Sequence, residues 1–173
     1  TNENGLQVYK GAQFVRFGAQ HGLPDEQIWA IEQEGDAFWF GTNKGLARYR
    51  PRLGQMAWAV HITEADGLPN NNIRSIKRGQ NNGLWIGTWG GGVNLYQPES
   101  QSFKHFQYHP TKKNSLGANK IQSLYESKKG EIWVGTNGGG LNLYQDNTKN
   151  FKRYQHDANN PFSLGNNRIW RIS

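Results

Sequence analysis

The chain has 173 residues, a formal net charge of +7 and no cysteine. The missing thiols exclude disulfides, thiol catalysis and cysteine zinc sites, and no apolar run approaches the ~20 residues of a membrane-spanning helix. Mean hydropathy is −0.86, yet seven Trp, seven Tyr and eight Phe exclude a disordered chain, which is poor in aromatics.

The 22 glycines and 19 asparagines demand frequent turns, because these residues tolerate positive φ. In chain order, TNENGLQVY (1–9) lines up with TNGGGLNLY (136–144), Thr1 with Thr136, Gly5 with Gly140 and Tyr9 with Tyr144. It reads as a strand c, and FVRF (14–17) as a strand d. GLPDEQIWAI (22–31) opens a unit with strand a, AFWFGTNKGLARYR (37–50) supplies b and c, and AVHI (59–62) supplies d. The order returns in GLPNNNIRSI (67–76), GLWIGTWGGGVNLYQ (83–97) and FKHF (103–106). A third unit begins at SLGANKIQSL (115–124), with a at Ile121 to Glu126, b at Ile132 to Thr136, c at Leu141 to Gln145 and d at Phe151 to Gln155. SLGNNRIWRI (163–172) starts another strand a, making fifteen expected strands.

The landmarks keep step. Trp39, Trp85 and Trp133 are each followed by Gly-Thr, and Leu23, Leu68, Leu116 and Leu164 stand five residues before Ile28, Ile73, Ile121 and Ile169. A period near 46 residues marks a repeat architecture. Strand b is apolar at consecutive positions, as in a strand covered on both faces, whereas strand c alternates. Four-stranded blades packed radially require this combination, so the fold class is all-β, a β-propeller of four-stranded antiparallel blades. The expected boundaries are a partial blade 1–20 (strands c and d), blades 21–63, 64–109 and 110–156, and the start of a further blade over 157–173.

The triplet Gly138-Gly139-Gly140 could cradle phosphate or make a turn. A phosphate loop needs a helix after its glycines. Here Leu141-Asn142-Leu143-Tyr144 follows, which is strand-like, so a tight b–c hairpin is expected.

The units resemble the two-component regulator propeller repeat, whose pattern is G-L-P-x-N-x-I, an acidic and glycine turn, L-W-I-G-T, then G-G-L-x-x-Y. Residues 66–96 and 114–144 carry it best, and 21–49 carry it with a shorter turn. There are two departures. Ser-Leu-Gly replaces Gly-Leu-Pro in the last two units, and the acidic a–b turn becomes KRGQNNG (77–83) and SKKG (127–130).

The resemblance implies the periplasmic sensor part of a bacterial inner-membrane receptor. Such propellers stand before an immunoglobulin-like module, a membrane helix and a histidine kinase or diguanylate cyclase. The implied role is non-catalytic ligand sensing, with a protein-interaction scaffold or a lyase-like propeller as alternatives. The chain starts at Thr1 and ends inside a strand a, so it is expected to be a piece of a larger propeller. Self-association is expected, because bare apolar blade faces associate.

No catalytic residue, metal ligand or cofactor is nominated. His21, His61, His105, His109 and His156 lie at or near strand d, and Glu32 and Glu34 read as a solvated pair at a strand end. Ligand contacts are expected where the d–a and b–c connections share one end of the disc. The d–a set supplies Trp29, Asn72, Arg74, Lys120, Arg168 and Trp170. The b–c set supplies Asn43, Trp89 and Asn137. Trp89 replaces the Asn of the other units, so the fold does not require it, and an aromatic face beside amides and Arg suits a saccharide or other polar small ligand; packing on a neighbouring turn is the alternative. Asn71, Asn119 and Asn167 read as turn formers. The Lys and Arg of strand d fit protection of an edge strand, attraction of acidic glycans or an anionic membrane, or nucleic acid. They recur around the rim and do not gather in one groove, so nucleic acid is not expected as a partner. Membrane contact is expected only through other parts of the parent protein.

Overall fold

The computed structural model describes residues 5–11, 13–52, 55–79 and 82–173. A two-stranded sheet holds β1 (Leu6–Lys10) and β2 (Gln13–Phe17). Three four-stranded antiparallel meanders follow. The first is β3 (Ile28–Glu34), β4 (Ala37–Thr42), β5 (Gly45–Arg52) and β6 (Gln55–Ile62). The second is β7 (Ile73–Arg78), β8 (Leu84–Thr88), β9 (Val93–Gln97) and β10 (Ser102–Phe106). The third is β11 (Ile121–Glu126), β12 (Ile132–Thr136), β13 (Leu141–Gln145) and β14 (Asn150–Tyr154). The last strand sits one residue earlier than expected.

The chain is all-β apart from short 3-10 turns at Ala19–His21 and Glu64–Asp66. The alignment of Thr1 with Thr136 falls outside the described residues. The expected final strand a does not form. Ile169 donates its N–H to the Thr136 carbonyl at 2.9 Å without a ladder around it.

The sheets stack through their faces. One core joins the first and second blades, with Trp39, Leu46, Ile73, Ile86 and Tyr96. Another joins the second and third, with Trp85, Val93, Ile121, Val134 and Phe151. The strand-b tryptophan of one blade meets the strand-c tyrosine of the next, Trp39 on Tyr96 at 6.1 Å and Trp85 on Tyr144 at 4.8 Å between ring centres. These edge-on pairs add to simple area burial. Trp133, the counterpart of the buried Trp39 and Trp85, is only half-buried.

The glycine of each Trp-x-Gly-Thr receives the first isoleucine of the next unit. A Cβ on Gly41 would sit 2.6 Å from Ile73 Cγ2, one on Gly87 2.5 Å from Ile121 Cγ2, and one on Gly135 2.8 Å from Ile169 Cγ2. Real Cβ contacts are not that short, so this glycine sets how closely successive blades approach.

The glycine triplets make b–c hairpins, and their amides are already engaged. Gly90 and Gly92 N–H both donate to the Asn119 carbonyl, at 3.1 and 3.0 Å, and Gly138 and Gly140 both donate to the Asn167 carbonyl, at 3.1 and 2.8 Å. No inward-facing nest of amides is left for phosphate. Asn71, Asn119 and Asn167 are turn formers as expected: their Oδ1 atoms accept from the Glu64, Tyr108 and His156 N–H groups at 2.8, 2.7 and 2.7 Å. Their carbonyls tie one blade's hairpin to the next blade's d–a turn.

The threonine after the glycine closes the hairpin from inside. Thr88 is fully buried, donates its hydroxyl to the Gly92 carbonyl at 3.1 Å and accepts from Gly91 N–H at 2.9 Å. Thr42 and Thr136 repeat both contacts. Thr88→Val keeps the shape but leaves the Gly91 N–H without its acceptor, while the Gly92 carbonyl keeps the Thr88 N–H at 3.1 Å, so urea denaturation should show a loss of about 1–3 kcal/mol. Thr88→Ser, which keeps the hydroxyl, should lose less than the valine variant.

Candidate functional site

The end of the disc that carries the b–c hairpins is built by a device absent from any local pattern. Each strand a begins with a β-bulge. Ile28 pairs with Thr42 and Ala30 with Gly41, so Trp29 is the extra residue. Arg74 holds the same place between Ile73 and Ser75, and Gln122 between Ile121 and Ser123. A bulged residue leaves the ladder and its side chain is re-aimed. Trp29 and Arg74 are thereby freed from the pleat and come together.

The Arg74 guanidinium carbon lies 3.8 Å from the Trp29 ring centre and 5.2 Å from that of Trp89. Lys120 Nζ lies 5.5 Å from the Trp89 ring, and Trp89 and Lys120 are joined by a single antiparallel bridge between blades. Trp29 Nε1 donates to Asn43 Oδ1 at 2.9 Å, and Asn43 Nδ2 donates to Gln27 Oε1. The Asn72 carbonyl accepts from Trp89 N–H at 2.9 Å, and its side-chain oxygen is buried without a partner. Trp29, Asn43, Asn72, Arg74, Trp89 and Lys120 thus form one continuous strip across three blades. Each close Arg–indole contact is worth about 0.5–2 kcal/mol.

The other three nominated residues make a neighbouring cluster. Arg168 Nε donates to Asn137 Oδ1 at 3.0 Å, and its guanidinium lies 5.8 Å from the Trp170 ring. Trp170 is 68 % exposed, and a shallow groove runs between Asn137, Gly138, Arg168 and Trp170. Asn137 N–H donates to the Lys120 carbonyl at 2.8 Å, which links the cluster to the strip.

Arg74 is the electrostatic anomaly. Its Nε is buried without an acceptor, and among the described residues its guanidinium meets no hydrogen-bond acceptor or carboxylate. Burial lowers its pKa from the ordinary arginine value, although a guanidinium stays charged at neutral pH. Other part-buried arginines are provided for. The Arg48 Nε is also buried without an acceptor, but its Nη2 pairs with Glu34 at 2.6 Å, and Arg153 donates to the Ser115 and Lys112 carbonyls and to Ser115 Oγ. Leaving a buried donor unpaired costs about 1–3 kcal/mol, more for a charged group.

Glu32 and Glu34 are not the solvated pair expected. Glu32 accepts from Lys77 Nζ and from the Arg78 N–H, both at 2.9 Å, and so clips the first inner strand to the second. Glu34 accepts from Trp39 Nε1 at 3.0 Å as well as from Arg48. Each histidine has its own separate partner: Gly18 N–H for His21, the Lys44 carbonyl for His61, Asn94 for His105, Thr111 for His109 and the Leu164 carbonyl for His156.

Sequence reasoning missed the bulge and Gln27. It also missed a cleft of about 530 Å³ at the opposite end, between the second and third blades, floored by Trp85, Leu95, Ile132 and Tyr144. The available signal was Leu95, which takes the strand-c position that Arg48 holds opposite Trp39 in the first blade.

Residues 67–90 and 115–138 match the two component regulator propeller family. The extracellular domain of BT4673 from B. thetaiotaomicron, described as a hybrid two component system, is 28% identical over 97% of this chain with a TM-score of 0.75. The corresponding domain of BT3049 from the same organism is 23% identical over 92% of the chain with a TM-score of 0.76, a likeness of fold. Virginiamycin B lyase from Staphylococcus aureus shares the fold at 10% identity and a TM-score of 0.63, over 90% of this chain and 50% of the lyase. The chain spans 22% of each of the two extracellular domains. No curated protein matches. Among the described residues no helix is long and apolar enough to cross a membrane.

Proposed function

We propose, from the premise that this chain is built of two component regulator propeller repeats, that it forms part of an extracytoplasmic sensor propeller and binds a small polar ligand at the hairpin end of the disc. The observation that carries this reading is the Trp29–Arg74–Trp89–Lys120 strip. Aromatic faces beside cations and amides are what a saccharide or another flat polar ligand needs. The strip crosses three blades, so a ligand lying on it would favour one packing of the blades over another. That difference is what attached signalling parts would read. A non-catalytic role is supported by the histidines, each of which is held in a structural contact of its own. The sensor location rests on the BT4673 likeness.

Titration of the protein with a panel of oligosaccharides, followed by intrinsic tryptophan fluorescence and calorimetry, tests the reading. A saturable response is expected, and Trp89→Ala should weaken it at least about tenfold, or roughly 1.4 kcal/mol. If no member of the panel gives a saturable signal, or if Trp89→Ala binds as the native chain does, the site is wrong.

A further inference from the structure

We infer that the ligand of this site carries a carboxylate, and that Arg74 is the residue that receives it. The inference rests on the ligand-binding reading above and narrows it to a chemical class.

Three observations carry it. First, Arg74 is a cation without an anion. The acidic groups of this end are engaged in their own turns or elsewhere: Glu64 accepts from Asn71 N–H at 3.0 Å, Asp66 from Thr63 N–H at 2.9 Å, Asp25 from Gln27 N–H at 3.2 Å, and Glu26 pairs with Arg16 at 3.3 Å. Second, two indoles lie close to the guanidinium, at 3.8 and 5.2 Å. Guanidinium donors lie in the plane of the group, so an acceptor has to arrive edge-on, where a planar carboxylate can take two parallel N–H bonds. Third, the Asn72 side-chain oxygen is buried and unpartnered in the same strip. It is an acceptor, and it calls for an O–H or N–H donor on the ligand beside the carboxylate. Lys120, exposed against Trp89, adds a second positive charge at the edge. A sugar acid satisfies all four: carboxylate for Arg74, hydroxyl for Asn72, an apolar ring face for Trp89 and net negative charge for Lys120.

The test compares galacturonate with galactose, which share ring and hydroxyls and differ at the carboxylate. Binding is followed through the Arg74 Nε–H resonance of ¹⁵N-labelled protein, assigned by its loss in Arg74→Gln, and through tryptophan fluorescence. Galacturonate is expected to bind at least about tenfold more tightly than galactose and to move the Arg74 Nε–H signal. The preference should shrink as salt is raised well above about 0.15 M. Arg74→Lys, which keeps the charge and loses the planar fork, should reduce the preference, and Arg74→Gln should abolish it. Equal affinity for the two sugars in the native protein overturns the inference, and so does a preference that survives Arg74→Gln. If galactose or another neutral sugar binds and galacturonate does not, the inference falls while the ligand site stands. If nothing binds, both fall.

Discussion

Gly87→Ala is expected to destabilise the protein by about 3 kcal/mol, the upper end of what overpacking costs. Gly87 lies in the middle of the second blade, in a strand whose five residues are all buried. The added methyl would meet Ile121 Cγ2 at 2.5 Å and Ile121 Cβ at 3.1 Å. Ile121 is itself fully buried and, being branched at Cβ, has almost no rotamer to retreat to. Relief would require the second and third blades to separate, which opens the core around Trp85, Val93 and Val134. For a chain of this size the loss corresponds to a fall in melting temperature of about 6–12 °C.

A double-mutant cycle isolates the contact. Ile121→Ala alone should cost about 2–5 kcal/mol from the cavity it leaves. Combined with Gly87→Ala the costs should fall short of their sum by at least about 1 kcal/mol, because the truncated side chain no longer collides. Gly165→Ala is the control. Nothing lies within 4 Å of the added carbon, and its effect should stay within about 0.5 kcal/mol. Strict additivity in the cycle, or a Gly87→Ala variant as stable as the native protein, would refute the proposed blade contact.

The second large effect is a ranking inside Gly138-Gly139-Gly140. Gly138 has φ of 100° and open space around its missing Cβ, so alanine there should cost only the left-handed backbone penalty, about 1–2 kcal/mol. Gly139 has no such φ, but its Cβ would land on the backbone of Gly117 and Ala118, which hold the next connection. Gly140 combines both burdens: φ of 72° and a Cβ placed on the Tyr154 carbonyl. Gly139→Ala and Gly140→Ala should each exceed about 4 kcal/mol, the range reserved for severe structural conflicts. Urea midpoints at constant slope read the order directly. A phosphate cradle predicts something different, since its glycines would tolerate alanine in the fold and fail only with ligand. Equal damage at all three positions would refute this account of the hairpin.

The repeat, the four strands of a unit and the turns between them were legible because each is encoded within a few residues. Consecutive apolar positions in LWIGT and IWVGT report burial on both faces. The asparagines at 71, 119 and 167 were readable as turn formers from their place before the first isoleucine. The half-burial of Trp133, against the full burial of Trp39 and Trp85, was not legible, because burial of this position depends on packing outside its own strand. The contacts of Glu32 and Glu34 were missed because their partners are distant in the chain: Lys77 and the Arg78 N–H belong to the next blade's inner strand, and Arg48 lies two strands away in the same sheet. At the disc end, the nine candidates were chosen by place in the unit alone. Place could not say that Arg74 lies against two indoles, nor that Asn137, Arg168 and Trp170 form a cluster of their own.

Sequence alone determined an all-β chain of four-stranded units with glycine hairpins, because alternation, aromatic runs and turn residues act through the local backbone. Only the tertiary structure decided which side chains share the hairpin end and why a glycine follows every strand-b tryptophan. Those facts depend on how one sheet stacks on the next and on a bulge that turns one residue out of the pleat. Neither leaves a local periodic trace, because the atoms that meet are brought together by blade packing and not by chain spacing.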